Sequence, residues 1–177
     1  MTKIAFRFFI DYEKEEKWLN EMESKGFHFL RYCFFFYIFE RGNPNTYTYG
    51  IELLEDMSHH KNYDYLNFLK DTDIEHVASW ARWVYLRKRK EYGPLNLFTD
   101  LSSKYSHFKR IFTFQVCLLP IMIASFIKLL DLTWHEGDFF YVAVSVLYTI
   151  FLIFFTSNTI RTHYKIKHIK ENMQIHE

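Results

Sequence analysis

Several things are scarce in this chain, and each scarcity closes a door. Two cysteines, Cys33 and Cys117, in 177 residues exclude a disulfide-stapled secreted scaffold and a four-cysteine zinc site. Five glycines and three prolines are too few for a linker-rich or disordered chain. Neither sign of charge dominates, with 22 Lys+Arg against 21 Asp+Glu, which argues against a basic nucleic-acid binder and an acidic solvating tail. No P-loop, GxSxG, HExxH or dinucleotide fingerprint occurs. The opening Met1-Thr2-Lys3 begins no apolar run, so no cleaved signal peptide is expected.

What is present is aromatic: 20 Phe, 13 Tyr and 4 Trp, enough to build an ordered core largely from rings. The length suits one globular domain, or a small domain plus a membrane anchor. The second option fits better, because almost all the long apolar runs lie after residue 110. Ile111 to Ile127 is free of formal charge, and Leu129 and Leu130 with a snorkelling Lys128 extend it toward the roughly 30 Å hydrocarbon core. Phe139 to Asn158 is a second uncharged run. The sequence therefore predicts two transmembrane helices, 111–130 and 139–158.

The flanks predict their orientation. Lys104, Lys109 and Arg110 precede the first span, and Arg161, Lys165, Lys167 and Lys170 follow the second. The connector Lys128 to Asp138 carries Asp131, Glu136 and Asp138. Cations on the chain-terminal sides place both termini in the cytoplasm of a multi-pass protein of the cell membrane. Neither span holds Asp, Glu, Lys, Arg or His in its interior, which argues against a transporter or pump acting alone. Pro120 is expected to kink the first span, and Gln115, Ser125 and Ser145 are candidates for interhelical contacts.

The first 95 residues read as a duplication. At an offset of 47, Trp18-Leu19-Asn20-Glu21-Met22 aligns with Tyr65-Leu66-Asn67-Phe68-Leu69, and Cys33, Phe36 and Ile38 meet Trp80, Trp83 and Tyr85. Each half opens with an extended run, Lys3 to Ile10 or Tyr47 to Leu53. An amphipathic helix follows. In the first helix Trp18, Leu19 and Met22 form the apolar face, Glu15, Glu16 and Glu23 are read as the solvent face, and Gly26 ends it. Tyr65, Leu66, Phe68 and Leu69 form the apolar face of the second. Two strands come next: Phe27 to Cys33 with Phe35 to Arg41, then Ile74 to Trp80 with Trp83 to Lys88. The predicted fold class is α+β. It is a duplicated βαββ domain, an antiparallel sheet with two helices on one face, over residues 1–95. A linker helix over 96–110, capped by Thr99-Asp100, the hairpin over 111–158 and a basic cytoplasmic tail over 159–177 complete the chain.

Duplicated βαββ units resemble bacterial effector-binding domains, in which two halves clasp a small molecule. A closer resemblance is carried by Glu16-Lys17-Trp18-Leu19-Asn20-Glu21-Met22 through Lys25-Gly26-Phe27-His28, and by Phe39-Glu40-Arg41-Gly42. Tyr65-Leu66, Trp80, Trp83, Tyr85 and Leu97-Phe98-Thr99-Asp100 with Lys104 complete it. Over roughly residues 3–110 the chain resembles an uncharacterised family of bacterial membrane proteins, domain of unknown function 2812. Members are often encoded beside PadR-type transcriptional repressors, so the resemblance implies envelope-stress or drug-responsive regulation. It supplies no catalytic residues. Asp73-Ile74-Glu75 stands where members often have a Gly-Trp pair, which is expected to alter the second helix–strand turn.

Chemistry finds little footing. His59-His60 near Asp56 and Asp64 is read as a solvated loop, not a metal site, and His163 and His168 are too far apart to share a helix face. Cys33 on a strand and Cys117 in a span lack the polar company of an activated thiolate. No catalytic residue, metal or cofactor is expected. Binding is better supported: Trp80, Trp83, Tyr85, Tyr47 and Tyr49 on strands, with Glu40 or Glu52 as counter-charge, suit a lipophilic cation or a partner surface. Trp83 and Tyr85 share one sheet face and Val84 and Leu86 the other, so with helices over one face the opposite face is expected to expose rings. Arg87-Lys88-Arg89-Lys90, with Lys109 and Arg110, is assigned to the membrane surface against anionic lipid. The resulting expectation is a non-enzymatic membrane-anchored regulator or sensor that binds a protein partner or amphipathic molecule. The alternative is an accessory subunit of a membrane complex, such as a transporter or an immunity or resistance system. Lipid bilayer and protein are the expected partners and nucleic acid is not. Homo-oligomerisation is left open.

Overall fold

The computed structural model describes residues 2–54, 59–98 and 101–175, without the side chains of 59–62, 174 and 175. The chain divides into two compact units, Met1–Thr99 and Asp100–Glu177. The first holds β1 (Thr2–Phe6), α1 (Tyr12–Ser24), β2 (Phe27–Cys33), β3 (Phe36–Arg41), β4 (Tyr47–Leu53), α2 (His59–Asp71), β5 (Ile74–Trp80) and β6 (Trp83–Arg89). The second holds α3 (Leu101–Glu136) and α4 (Phe139–Ile175).

The duplication holds in detail. α2 begins at residue 59, 47 after α1 begins at residue 12, and β5 and β6 begin 47 after β2 and β3. Both hairpins are bulged at equivalent positions, between Phe29 and Arg31 in one and between His76 and Ala78 in the other. A bulge inserts one residue into one strand at a chosen place, so its recurrence at the same place goes beyond a shared βαββ pattern. Left-handed backbone recurs as well, at Gly26 (φ 77) and Asp73 (φ 61), and at Phe34 (φ 41) and Ala81 (φ 52). Asp73 thus keeps the helix–strand turn that glycine makes in the first repeat. Short polar side chains tolerate that conformation better than most.

Local chemistry sets the boundaries. The Asp11 side chain accepts the Glu13 amide at 3.1 Å and caps α1. Gly26 ends it where a Cβ would lie 2.8 Å from the Gly42 carbonyl oxygen. β1 stops at Phe6, well short of the predicted Ile10. Its partner β3 begins opposite, at Phe36, and Arg7 makes one last bond to the Phe35 carbonyl at 2.9 Å.

The strands form two antiparallel three-stranded sheets, ordered β1-β3-β2 and β4-β6-β5. Each helix covers the equivalent face of its own sheet. α1 lays Leu19 and Met22 on Phe29, Tyr37 and Phe39, while α2 lays Leu69, Tyr65 and Leu66 on Ile74, Val84 and Leu86. The first core also takes in Tyr47, Tyr49, Ile51, Ala78 and Tyr85 from the other face of the second sheet. The layers are therefore the first sheet, then α1 beside the second sheet, then α2. Leu95 and Leu97 add to the outer core and close over Gly50, where a Cβ would meet a methyl of each at 2.9 Å. The second sheet is covered on both faces and the first on one. This corrects the expectation of exposed rings beside Trp83 and Tyr85: the open face belongs to the other repeat.

In the second unit α3 carries the linker helix and the first apolar run as one helix of about 54 Å. Two described helices are long and apolar enough to cross a membrane. The predicted connector is mostly helical, leaving a turn at Gly137-Asp138. There Gly137 (φ 62) donates to the Thr133 carbonyl at 3.1 Å. A polar seam joins the helices: Thr133 Oγ1 to Ser145 Oγ at 2.8 Å and Ser125 Oγ to Tyr148 Oη at 2.7 Å. Ser125 and Ser145 thus make the interhelical contacts expected of them. Gln115 is buried. The predicted tail continues α4 to Ile175.

Candidate functional site

The seam between the repeats is built from acids the sequence pattern assigned to solvent. β4 is an edge strand, and its Tyr47, Tyr49 and Ile51 amides point away from β6. Each meets a side chain of α1. Glu23 Oε1 accepts the Thr46 and Tyr47 amides at 3.0 Å. Asn20 accepts the Tyr49 amide at 2.9 Å and returns its own Nδ2 to the Tyr49 carbonyl at 2.9 Å, as a neighbouring strand would. Glu16 Oε2 accepts the Ile51 amide at 2.9 Å. Residues 16, 20 and 23 lie on one helix face, so α1 runs along β4 as a polar cover for its edge. Glu23 is fully buried. Its burial and the bonds of Glu16 correct the reading of a solvent-facing acidic stripe.

Glu15 ties the two sheets together. Its Oε1 accepts the Tyr37 hydroxyl at 2.7 Å and the Tyr85 hydroxyl at 2.6 Å, one from each repeat. Burial pushes the Glu15 carboxyl above its ordinary range, and the two phenol bonds only partly offset this. Burial raises Glu16 too, against the Ile51 amide. The Tyr37 and Tyr85 phenols are pushed up, first by burial and then by the Glu15 charge. Around this acid Phe29, Tyr32 and Tyr85 pack ring to ring, with Phe29 to Tyr85 at 5.2 Å and Tyr32 stacked on Tyr85 at 5.6 Å. Among the described residues, rings of both repeats share one buried cluster between the halves.

The sequence-predicted binding residues are scattered. Tyr47, Tyr49 and Tyr85 are core, and Trp83 is half-buried against Tyr12, 5.6 Å away. Glu52 is buried in the second repeat and accepts the Tyr65 hydroxyl at 2.7 Å. Glu40 is exposed on β3. Trp80 alone joins partial exposure to exposed neighbours, meeting Phe34 at 4.7 Å. The cationic run does not form one patch. Arg87 pairs with Glu75 at 2.7 Å and lies 4.3 Å over the Tyr47 ring, and Arg89 pairs with Glu91 at 3.1 Å. Lys88 points to the opposite sheet face, and Lys90 donates to Asn45 at 3.1 Å. On α3, Lys109 is exposed and Arg110 half-buried. Asp56, Thr99 and Asp100 lie outside the described residues, as do the side chains of His59 and His60. Among the described residues no group of three or more His, Cys, Asp or Glu side chains is placed to hold a metal ion.

Sequence reasoning missed the open face of the first sheet. Ile4 (66% exposed), Phe6 (65%) and Phe36 (47%) form an apolar stripe there, and Phe34 (63%) and Phe35 project from the β2–β3 turn. Phe6 touches Phe36 at 5.2 Å and Phe8 touches Phe35 at 5.2 Å. Phe34 and Phe35 both hold positive φ, 41° and 69°. Two-residue hairpin turns favour Asn-Gly in that conformation, and left-handed backbone costs a bulky residue about 1–2 kcal/mol. The turn holds this strain and leaves both rings exposed. Its signal was available in three consecutive phenylalanines, Phe34-Phe35-Phe36, set where a turn was due.

Taken together, these features define a class: a duplicated α+β domain joined to a helical hairpin of membrane-spanning length. The family described as "Protein of unknown function (DUF2812)" matches residues 11–121, and the chain belongs to it. No curated protein and no solved structure matches the chain.

Proposed function

We propose that this protein is a membrane-anchored, non-enzymatic regulator whose amino-terminal domain, on the cytoplasmic side with both termini, docks a protein partner. The observation that carries this reading is the open face of the first sheet with its strained Phe34-Phe35 turn. Large exposed apolar surface is costly in a soluble domain and marks interaction sites. Strain held at one turn fits the same role. The ring-filled interior favours surface docking over an enclosed small molecule. The two apolar helices support the anchoring half of the proposal.

A photo-crosslinking amino acid in place of Phe35, in the full-length protein in its own membrane, tests the reading. A discrete protein adduct is expected at position 35, and none at exposed Asn67 on α2. Adducts to lipid alone would overturn it.

A further inference from the structure

We infer that the free edge of β1 pairs antiparallel with β1 of a second copy of this chain, joining two first sheets into one. This deepens the docking proposal and rests on it in one respect: the same open face supplies the apolar part of the contact.

The argument begins from the two equivalent edges. The Arg7 amide donates to the Phe35 carbonyl, and alternation along an antiparallel pair then turns the Ala5 and Lys3 amides toward β3 as well. The amides and carbonyls of Thr2, Ile4 and Phe6 therefore point outward. On β4 the equivalent row is covered by Glu16, Asn20 and Glu23. On β1 the described residues provide no such cover. The α2 positions matching those three are Tyr63, Asn67 and Lys70, all exposed. Lysine offers no acceptor and a phenol is a poor substitute for carboxylate. Head-to-tail docking of α2 from a second copy onto β1 therefore lacks the chemistry that seals β4.

Strand against strand has it. With Ile4 opposite Ile4 of the second copy, the two residues exchange both backbone bonds and Thr2 lies opposite Phe6. The central row of the joined sheet then runs Ile38, Ile4, Ile4, Ile38, following the observed pairing of Ile4 with Ile38. Arg31, paired with Ile38 on the far side, stands at each outer end, so the cations stay far apart. The one charge on β1, Lys3, lies 4.2 Å over the Phe27 ring, on the other face and opposite Ala5 of the second copy. Natural edges are often guarded by lysine, proline or a bulge; β1 has no proline or bulge, and its one lysine is held over the Phe27 ring. A five-residue edge buries less than the roughly 1,200 Å² of a stable free dimer. Two copies confined to one bilayer need less, because tethering raises their effective concentration.

The test uses full-length protein in liposomes. With Cys33→Ser and Cys117→Ser as background, Ile4→Cys is expected to cross-link as a dimer under mild oxidation at least about tenfold more than Asn67→Cys, since facing strand residues meet disulfide geometry. Energy transfer between labelled copies is expected to fall about tenfold in association constant for Ile4→Pro. That proline removes only an outward amide and leaves the β1–β3 ladder intact. Ile4→Lys serves if the proline variant misfolds. Absence of Ile4→Cys dimers in folded protein, or energy transfer unmoved by both substitutions, overturns the inference. So does quenching of the labelled edge by brominated lipid in place of energy transfer. The crosslinker at Phe35 lies off this edge, so a foreign adduct there would leave the docking proposal standing without the dimer.

Discussion

Glu15 shows how one side chain can hold two repeats together at a cost that depends on pH. Its folded-state pKa lies above the ordinary 4.5. The group therefore contributes stability that is fully present below that value and is lost as pH rises through the raised pKa. Glu15→Gln keeps an acceptor without the buried charge. Its melting temperature relative to wild type is expected to be higher at about pH 7.5 than at about pH 4.5, read by tryptophan fluorescence of the full-length protein. A difference independent of pH would deny the carboxyl this role. Asn20 offers a second test, with a built-in control. Asn20→Ala leaves the Tyr49 amide and carbonyl without their partner and is expected to cost about 2 kcal/mol in urea titration. Asn67→Ala, its exposed equivalent, is expected to change stability by less than about 0.5 kcal/mol.

At the scale of elements, the strained turn sets stability against display. Replacing Phe34-Phe35 by Asn-Gly suits the positive φ angles and is expected to raise stability by about 1–2 kcal/mol. The same change should abolish protein crosslinking from Phe36, which separates a docking role from a folding role. Gly26→Ala works in the opposite direction, meeting both a left-handed backbone and the Gly42 carbonyl, and is expected to cost more than about 1 kcal/mol. Elements were the most legible level of this protein. Periodicity and Gly26 are local signals, and strands β2, β4 and β5 fall where the sequence reading places them. The carboxylates of α1 were not legible. An acidic stripe reads as solvent-facing, and the β4 amides that bury Glu16 and Glu23 lie 35 and 24 residues further along the chain. Nor could pattern alone divide six strands into two sheets, because α1 and the second sheet compete for the same face of the first.

For the whole molecule, the issue is whether the hairpin only anchors. The seam of Thr133, Ser145, Ser125 and Tyr148 holds α3 to α4 through hydrogen bonds worth about 0.6 kcal/mol each in a bilayer. A regulator that uses the hairpin as a tether should keep its activity when both spans are exchanged for an unrelated pair. Loss of activity on that exchange, with the domain still folded, would favour the accessory-subunit alternative. The open face of the first sheet was not foreseen at this scale either. The equivalent face in the second repeat is buried, and only the arrangement of the two repeats decides which of them is left uncovered.

The polar cover that α1 lays over β4 also bears on how the chain is made. The first repeat leaves the ribosome before the edge it will cover exists. During that interval Glu15, Glu16, Asn20 and Glu23 face water, which suits them. The second repeat has no such interim state. Without α1 its β4 edge is bare and the rings of Tyr49 and Tyr85 are unhoused. Synthesised without the first repeat it would carry both liabilities at once, so it is expected to need α1 already in place.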